Sequence, residues 1–344
     1  MKVLLTGSAG FIGSAIDRAL MARGDEVVRV DLMLPDAHGA AEPPPGTHQL
    51  DVCDASAWTD LIAGVDAVCH QAALVGLGVR VGDLPSFASH NDLGTTALLA
   101  AMHEARVTRL VLASSMVVYG EGRYWCPRHG PQLPGPRSEH DLAGGRFENT
   151  CGVCNGPLSW DLVEEDARLD PRSGYAASKL AQEHYAAAWA RQAGGSAVAL
   201  RYHNVYGPGM PRDTPYSGVA AMFRSAVERG ERPPVFEDGG QMRDFVHVDD
   251  VARANVLALE SVADSAPGAL TAYNVCSGRP ISIVDVARLV AGRGPTPTVT
   301  GEYRLGDVRH IVASPERART ELGFKAEIAP EEGLAHFATD PLRA

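Results

Sequence analysis

The sequence contains no run of about eighteen apolar residues, the length that a transmembrane helix needs. Its first residues, MKVLLTGSAG, have the pattern of a β-strand followed by a turn, and they lack the features of a signal peptide. We therefore expect a cytoplasmic protein without membrane association.

A surface rich in lysine and arginine is also missing. The formal net charge is −11, and no stretch of basic residues interrupts the acidic balance. Because nucleic-acid binding depends on neutralising phosphates, this composition argues against a nucleic-acid partner. Internal repeats and low-complexity tracts are absent as well, which excludes solenoid and fibrous classes.

What is present is an alternation of strand and helix patterns in an ordinary globular composition, 344 residues of which 45% are hydrophobic. The alternation predicts an α/β fold, a Rossmann-type doubly wound parallel sheet covered by helices on both faces. We expect an NAD-binding domain over residues 1–205 and a smaller C-terminal α/β substrate lobe over residues 206–344, with some segments of it returning to the first domain. Residues 121–167 break the rhythm and indicate an insertion.

A glycine-rich turn follows the first predicted strand and opens the first helix. Its spacing is G-x-x-G-x-x-G, and such a turn brings pyrophosphate close to backbone N–H groups at a helix N-terminus. The candidate dinucleotide-binding residues are Gly7, Gly10, Phe11, Ile12 and Gly13. A plain turn is the alternative, and the strand–helix context weighs against it.

Asp31 ends the second predicted strand, where its carboxylate can accept hydrogen bonds from a ribose diol. It would repel a 2′-phosphate, and the following residues 32–34 contain no arginine, so NAD is favoured over NADP. Asp51 and Val52 follow the third strand and are candidates to cover the adenine. An aspartate in this position could equally be a helix cap.

Ser115 follows a buried strand, and Tyr175 and Lys179 lie four residues apart on one predicted helix face. A free tyrosine titrates near 10, so deprotonation near neutral pH requires a pKa lowered by roughly 3 units. A nearby ammonium and a positive nicotinamide both act in that direction. The three residues predict a catalytic set in which Tyr175 takes a proton from a sugar hydroxyl that Ser115 hydrogen-bonds, while NAD accepts hydride.

These motifs resemble the extended short-chain dehydrogenase/reductase family, the nucleotide-sugar epimerases and dehydratases, over nearly the whole chain except the insertion. The resemblance implies further cofactor contacts at Gln71, Ala72, Ala73, Asn91, Tyr202 and Val205, besides Tyr175 and Lys179. It also implies that the pyrophosphate of a nucleotide sugar is held by Asn204, Arg243 and Arg304. Surface ion pairs are the alternative for the two arginines.

The dehydratases of the family that this sequence resembles carry an Asp-Glu pair after the catalytic serine or threonine. Here those positions are Met116 and Val117. Neither side chain can transfer a proton, which favours oxidation and re-reduction at C4, a 4-epimerase. An apolar wall by C5–C6 would suit a 6-deoxyhexose such as dTDP-L-rhamnose, although simple packing explains these residues nearly as well. UDP-glucuronate and UDP-glucose stay close alternatives, and a 4-ketoreductase or a non-catalytic NAD-binding regulator are the competing functions.

The insertion carries a C-x-x-H pair, Cys126 and His129, and a C-x-x-C pair, Cys151 and Cys154. Three thiolates and one imidazole form the closed tetrahedral set that structural zinc prefers. Loose surface thiols are the alternative reading. Because the insertion leaves the catalytic serine strand and returns at the catalytic tyrosine helix, it could form a lid or rim over the sugar pocket.

Helices around residues 91–105 and 174–192 resemble those that pair members of the family into homodimers. Their apolar stripes could equally face the core.

Overall fold

The computed structural model of the chain describes residues 1–76, 78, 80–212 and 218–343. The strands β1 to β15 are, in chain order, Lys2–Thr6, Glu26–Asp31, Thr47–Gln49, Ala67–His70, Arg109–Ser115, Arg123–Cys126, Gly130–Gln132, Ser159–Asp161, Ser196–Tyr202, Asn204–Tyr206, Pro234–Val235, Met242–His247, Leu270–Val275, Pro280–Ser282 and Thr298–Val299. The helices α1 to α12 are Phe11–Arg23, Pro35–His38, Thr59–Ile62, Leu84–Phe87, Gly94–Glu104, Glu139–Ala143, Gly174–Ala193, Val219–Glu228, Val248–Asp264, Ile283–Ala291, Glu316–Glu321 and Pro330–Phe337. Short 3₁₀ segments cover Val52–Trp58, Val81–Asp83 and Met116–Tyr119, and Ala88–Leu93 is π-helical.

The main sheet contains seven parallel strands in the order β13-β9-β5-β4-β1-β2-β3. Its inner strands are buried on both faces, which explains why a strand such as β9 is a nearly continuous apolar run. The strand order reverses between β1 and β4, the point where ligands of such folds bind beyond the carboxyl ends of the strands. The predicted Rossmann-type α/β fold is confirmed.

Helices cover both faces of this sheet. On one face, α1 packs against α9, and on the other α5 packs against α7. Helix α7 begins at Ser173, whose side chain accepts a hydrogen bond from the Ala176 backbone N–H and so satisfies an otherwise unpaired donor. This cap fixes the first turn of α7, the turn that carries Tyr175. Within the described ranges, every helix is too short or too polar to cross a lipid bilayer.

The C-terminal part of the chain divides between two places. Strand β13 pairs in parallel with β9 and α9 packs on the main sheet, so these segments belong with the first domain. The pairing leaves β13 rather than β9 as the edge of the main sheet. A smaller lobe forms around the sheet β10-β12-β14 and helices α8, α10 and α12, with a separate apolar core that includes Tyr206, Phe223 and Phe245.

The insertion has a structure of its own. Strands β7, β6 and β8 form a small antiparallel sheet, and α6 follows on a connecting loop. Its buried core consists of only Tyr124, Cys126, Cys151 and Leu158. An apolar core this small contributes little to folding, so the segment requires another source of stability.

Candidate active site and metal cluster

The glycine loop between β1 and α1 is packed as closely as a dinucleotide site requires. A Cβ atom on Gly13 would lie 2.0 Å from the carbonyl oxygen of Gly7, and one on Gly7 would lie 2.7 Å from the backbone nitrogen of Ala72. Gly7 also has φ 67°, which favours glycine. Gly10 is the N-cap of α1, and the first turn of the helix has no acidic side chain to repel a phosphate. These features fit the pyrophosphate of NAD.

Asp31 lies at the end of β2 beside this loop, where it accepts hydrogen bonds from the backbone N–H groups of Ala9 and Met33. Burial raises the pKa of Asp31, but hydrogen bonds from His38 and these backbone groups outweigh it, and the net pKa is lowered. The carboxylate is therefore ionised, as the proposed contact with a ribose diol requires.

The approach of Arg343 to this site was not predicted from the motifs. Its guanidinium donates to the backbone carbonyl of Ala9 at 2.8 Å, and its charge interacts with Asp31. Motif spacing extends only over neighbouring residues and cannot detect such a contact. Residues 32–34 contain no arginine, but Arg343 brings a positive charge close to Asp31. The charge around the ribose position therefore could not be judged from residues 32–34 alone.

Several other predicted cofactor residues are already engaged by protein groups. Asp51 caps the following 3₁₀ segment by accepting from the Cys53 backbone N–H at 2.9 Å, so the capping role does exist. Asn91 is fully buried and binds both backbone groups of Leu74 and the hydroxyl of Ser178. The Asn91 amide thereby fixes the loop after β4 against α7.

Two of the remaining predicted cofactor residues lie at the carboxyl ends of β4 and β9. The side chains of Gln71 and Tyr202 share a hydrogen-bond network with Asn255, which holds these two strand ends together. Of the others, Val52 is buried and Phe11, Ile12, Ala72, Ala73 and Val205 are half-buried.

The three predicted catalytic residues come together where β5 and α7 meet. The Ser115 hydroxyl accepts the Val117 backbone N–H and lies near enough to the Tyr175 phenol to lower the pKa of that group. The Lys179 ammonium lies 5.9 Å from the centre of the Tyr175 ring and donates to the Ala113 carbonyl at 3.0 Å. This arrangement can bind a hydroxyl group between a serine and a tyrosine and move its proton.

The charge state of this site differs from the expectation. Burial raises the pKa of Tyr175 to about 12, although the hydrogen bond from Ser115 acts in the opposite direction. Burial also lowers the pKa of Lys179 to about 7, so the lysine loses much of the positive charge that was expected to favour a phenolate. Because burial acts on both groups, the Lys179 ammonium supplies only part of the positive charge that a phenolate at Tyr175 requires. The positive nicotinamide is the other contribution we named.

Glu183 and Arg201 form a buried ion pair at 2.8 Å behind the catalytic residues, and motif spacing did not reveal it. Glu183 also accepts the Ser114 hydroxyl at 2.5 Å, and its charge partly restores the pKa of Lys179. Its spacing of four residues from Lys179 on α7 was a signal that could have been used. The pair fixes β5, β9 and α7 relative to one another.

The predicted substrate residues lie along the start of the smaller lobe. The Asn204 amide donates to the Asp244 carbonyl at 2.9 Å and contacts the Met116 sulfur at 3.6 Å, so Met116 and Asn204 are neighbours. Arg243 is buried and directs its guanidinium at backbone carbonyls, while Arg304 is exposed and stacks over the Phe236 ring at 4.9 Å. Val117 is half-buried beside Met116.

The four cysteine and histidine side chains of the insertion form one cluster. Their ligand atoms all lie within 4.8 Å of one another. The Sγ atom of Cys126 is 3.9 Å from that of Cys154, and the His129 Nδ1 atom is 3.5 Å from the sulfurs of both Cys126 and Cys151. Tetrahedral zinc places two sulfurs about 3.8 Å apart and a sulfur and a nitrogen about 3.5 Å apart. The donor set and its spacing therefore fit zinc.

The turns that carry these ligands are tight and include left-handed backbone conformations. Gly130 and Asn155, each directly after a ligand pair, have φ of 71° and 53°. The Cys151 backbone N–H donates to the Gly156 carbonyl, which closes the second turn. Hydrogen bonds from backbone N–H groups, first that of Val153, lower the pKa of the Cys151 thiol to about 6, as a thiolate ligand requires.

A family model described as the NAD dependent epimerase/dehydratase family matches residues 3–143 and 154–276. The chain belongs to this family. The break in the match, residues 144–153, falls within the insertion and includes Cys151 of the cysteine and histidine cluster. The predicted family and NAD as its cofactor are thereby confirmed.

Among curated relatives, a dTDP-L-rhamnose 4-epimerase of Burkholderia thailandensis is 36% identical over 98% of this chain and 94% of the relative. A UDP-glucose 4-epimerase of Corynebacterium glutamicum is 29% identical over 95% of this chain and 91% of the relative. Among solved structures, MoeE5 in complex with UDP-glucose and NAD has a TM-score of 0.75 at 30% identity, covering 97% of this chain and 96% of that one. These findings agree with the prediction of an isomerase of the epimerase class.

Proposed function

We propose that this protein inverts C4 of a nucleotide-activated hexose through a transient 4-keto sugar, with NAD held throughout the cycle. The observation that carries the proposal is the meeting of Ser115, Tyr175 and Lys179 where β5 and α7 join, in a chain whose glycine loop fits a dinucleotide. Bound NAD supplies the acceptor for the C4 hydride and later its donor. A cofactor that is regenerated in every cycle has no need to dissociate.

In this proposal Tyr175 takes the proton of the C4 hydroxyl and later returns it, while Ser115 holds the same oxygen by a hydrogen bond. Lys179 contributes positive charge and, through its bond to Ala113, a fixed position on β5. The 4-keto sugar then rotates within the cleft, so that the opposite face of C4 is directed at the cofactor. The same residues serve both halves of the reaction.

Met116 and Val117 support epimerisation over dehydration, since elimination across C5–C6 needs an acid and a base at these positions. Met116 lies beside Asn204, which the family resemblance assigns to substrate binding. An apolar side chain there favours a 6-methyl group, and the 36% identity to a dTDP-L-rhamnose 4-epimerase supports the same substrate class. We therefore favour dTDP-L-rhamnose or a related 6-deoxyhexose, with UDP-glucuronate and UDP-glucose close behind.

The test is incubation with dTDP-L-rhamnose, UDP-glucuronate and UDP-glucose without added cofactor, followed by NMR of the products. We expect a C4 epimer, formed most rapidly from the dTDP sugar, and no product from a Tyr175→Phe control. Turnover only after addition of NAD⁺ or NADP⁺, with the 4-keto sugar and the reduced cofactor as products, would instead identify a 4-ketoreductase acting in reverse. A protein that retains NAD but converts none of the sugars would be a non-catalytic NAD-binding regulator.

We further propose that Cys126, His129, Cys151 and Cys154 bind one structural zinc ion. Four protein ligands leave no position open for water, so the ion serves folding rather than chemistry. Metal analysis of protein never exposed to chelator should give one zinc per chain. A Cys154→Ser variant should lose the ion while Cys53→Ser, outside the cluster, should retain it. Well under one zinc in the parent protein would contradict the proposal.

A homodimer formed by the helices around 91–105 and 174–192 stays a prediction. Leu93 and Tyr185 on these segments expose 54% and 43% of their surfaces, which supports a partner on this face. Sedimentation of the purified protein would test it directly.

A further inference from the structure

The insertion packs against one particular segment of the smaller lobe, residues 308–314, rather than lying free over the surface. The Tyr124 hydroxyl accepts the His310 backbone N–H at 3.0 Å, and Glu121 accepts the Arg309 backbone N–H at 3.2 Å. Further along, Val163 exchanges backbone hydrogen bonds with Val312 and Ser314. Residues 308–314 are thus held by the insertion as an extra strand would be.

A cluster of charges around the buried side chains of Arg309, Glu237 and Arg137 strengthens this contact. The Arg309 side chain is 1% exposed and pairs with Glu148 of the insertion and with Glu237 and Asp238 of the smaller lobe, at 2.5, 2.8 and 2.8 Å. From the insertion, Arg137 makes a two-pronged contact with Glu237, at 2.8 and 2.9 Å. Buried charges must be paired, so these groups tie the insertion to both chain segments.

The same two segments position the arginines expected to hold the substrate's pyrophosphate. Arg243 donates to the carbonyls of Val308 and Arg309 at 2.7 and 2.9 Å. The backbone N–H of the preceding Met242 donates to His310 Nδ1 at 3.0 Å, and the opposite ring nitrogen of His310 contacts Glu148. Arg304 stacks on Phe236, the residue before Glu237. Both arginines therefore rest on elements that the insertion holds.

The metal ligands lie on the arms of the insertion that make these contacts. Cys126 ends strand β6, which carries Tyr124, and Cys151 follows Glu148 and Asn149 closely. The Asn149 amide donates to Glu121 at 3.1 Å, which joins the two arms beside the cluster. With so small an apolar core, the arms depend on the ion for their spacing.

We infer that the zinc site positions the residues that bind the nucleoside diphosphate of the substrate. Zinc binding and nucleoside-diphosphate binding are then coupled. The inference rests on the proposed function, in which the cluster binds zinc and the substrate is a nucleotide sugar. Glu148 and Tyr124 act as positioning residues, through Arg309 and His310, on Arg243. The hydride chemistry at Ser115 and Tyr175 is outside this linkage.

The experiment uses the zinc-loaded enzyme and measures the affinity for dTDP and UDP by calorimetry, with steady-state kinetics alongside. For Glu148→Ala we expect a Kd and a KM raised about tenfold, within the range typical of coupling between sites. The kcat at saturating substrate and the content of zinc and NAD should stay unchanged. Glu148→Gln, which retains the shape and one acceptor oxygen, should be affected less. Glu139→Ala, an exposed glutamate on α6, is the matched control.

Coupling between two sites is reciprocal, which provides a readout that a purely structural role would not move. Saturating dTDP should raise the protein's affinity for zinc, measured by competition with a chelator, by the same factor by which zinc removal weakens dTDP binding. Equal dTDP affinity in all variants, with zinc affinity independent of dTDP, would overturn the inference. A fall in kcat at unchanged KM would also overturn it. If the parent enzyme bound neither dTDP nor UDP, the proposed substrate class would fail instead.

Discussion

Lys179 provides the most demanding test of the electrostatics of this site. Its side chain is 4% exposed, and burial lowers its pKa from 10.5 to about 7. One pKa unit corresponds to about 1.4 kcal/mol, so holding this lysine at pH 7 destabilises the fold by about 4 kcal/mol. Replacement by methionine removes this cost but also the hydrogen bond to the Ala113 carbonyl, worth about 1–3 kcal/mol. We expect Lys179→Met to be inactive and more stable at pH 7 by about 1–3 kcal/mol.

The stability difference between the parent protein and Lys179→Met should depend on pH in a defined direction. Because the folded state binds fewer protons than the unfolded state between pH 7 and 10.5, the parent protein gains stability relative to Lys179→Met as the pH rises through this window. The difference between them should shrink by about 2 kcal/mol from pH 7 to pH 9. Urea unfolding of cofactor-free preparations at both pH values measures it, with the exposed Lys325→Met as control. A variant that is less stable than the parent at pH 7, by an amount independent of pH, would refute the reasoning.

Three further substitutions test the site by cofactor content and rate. Tyr175→Phe should lower kcat by about 10²–10⁴ while NAD stays bound, and more than a tenth of the parent rate would contradict its role. Gly13→Ala should yield protein without NAD because the added Cβ would lie 2.0 Å from the Gly7 carbonyl oxygen, whereas Gly82→Ala, which meets only open space, should retain it. Asp31→Ser should narrow the preference for NAD over NADP in titrations of cofactor-free protein, and an unchanged ratio would speak against the ribose contact.

The groups of residues that the sequence patterns linked and that the structure brings together depend on local geometry. The glycine loop is defined by a strand, a turn and a helix that follow one another, and the spacing of Tyr175 and Lys179 is set by one helix. The cysteine and histidine pairs depend on two tight turns, and their meeting required only that the insertion close on itself. In each case local geometry limits where the side chains can point, so the pattern contains the information.

What local spacing could not supply was the environment of each group. Arg343 contacts the glycine loop from the opposite end of the chain. The Arg243 guanidinium donates hydrogen bonds to the backbone carbonyls of residues 308 and 309. The pKa values of Tyr175 and Lys179 depend on how completely the surrounding elements exclude water. These are long-range properties, since burial is the sum of contacts from every packed element.

The chain's motifs were therefore sufficient to identify the family and its cofactor, and they supplied the catalytic set and the zinc ligands that we propose. Tertiary packing alone decided that burial lowers the pKa of Lys179 and that the insertion carrying the cysteine cluster packs against residues 308–314. The physical reason is that a motif fixes the chemistry a residue can perform, whereas its pKa and its partners depend on which distant segments the fold brings beside it.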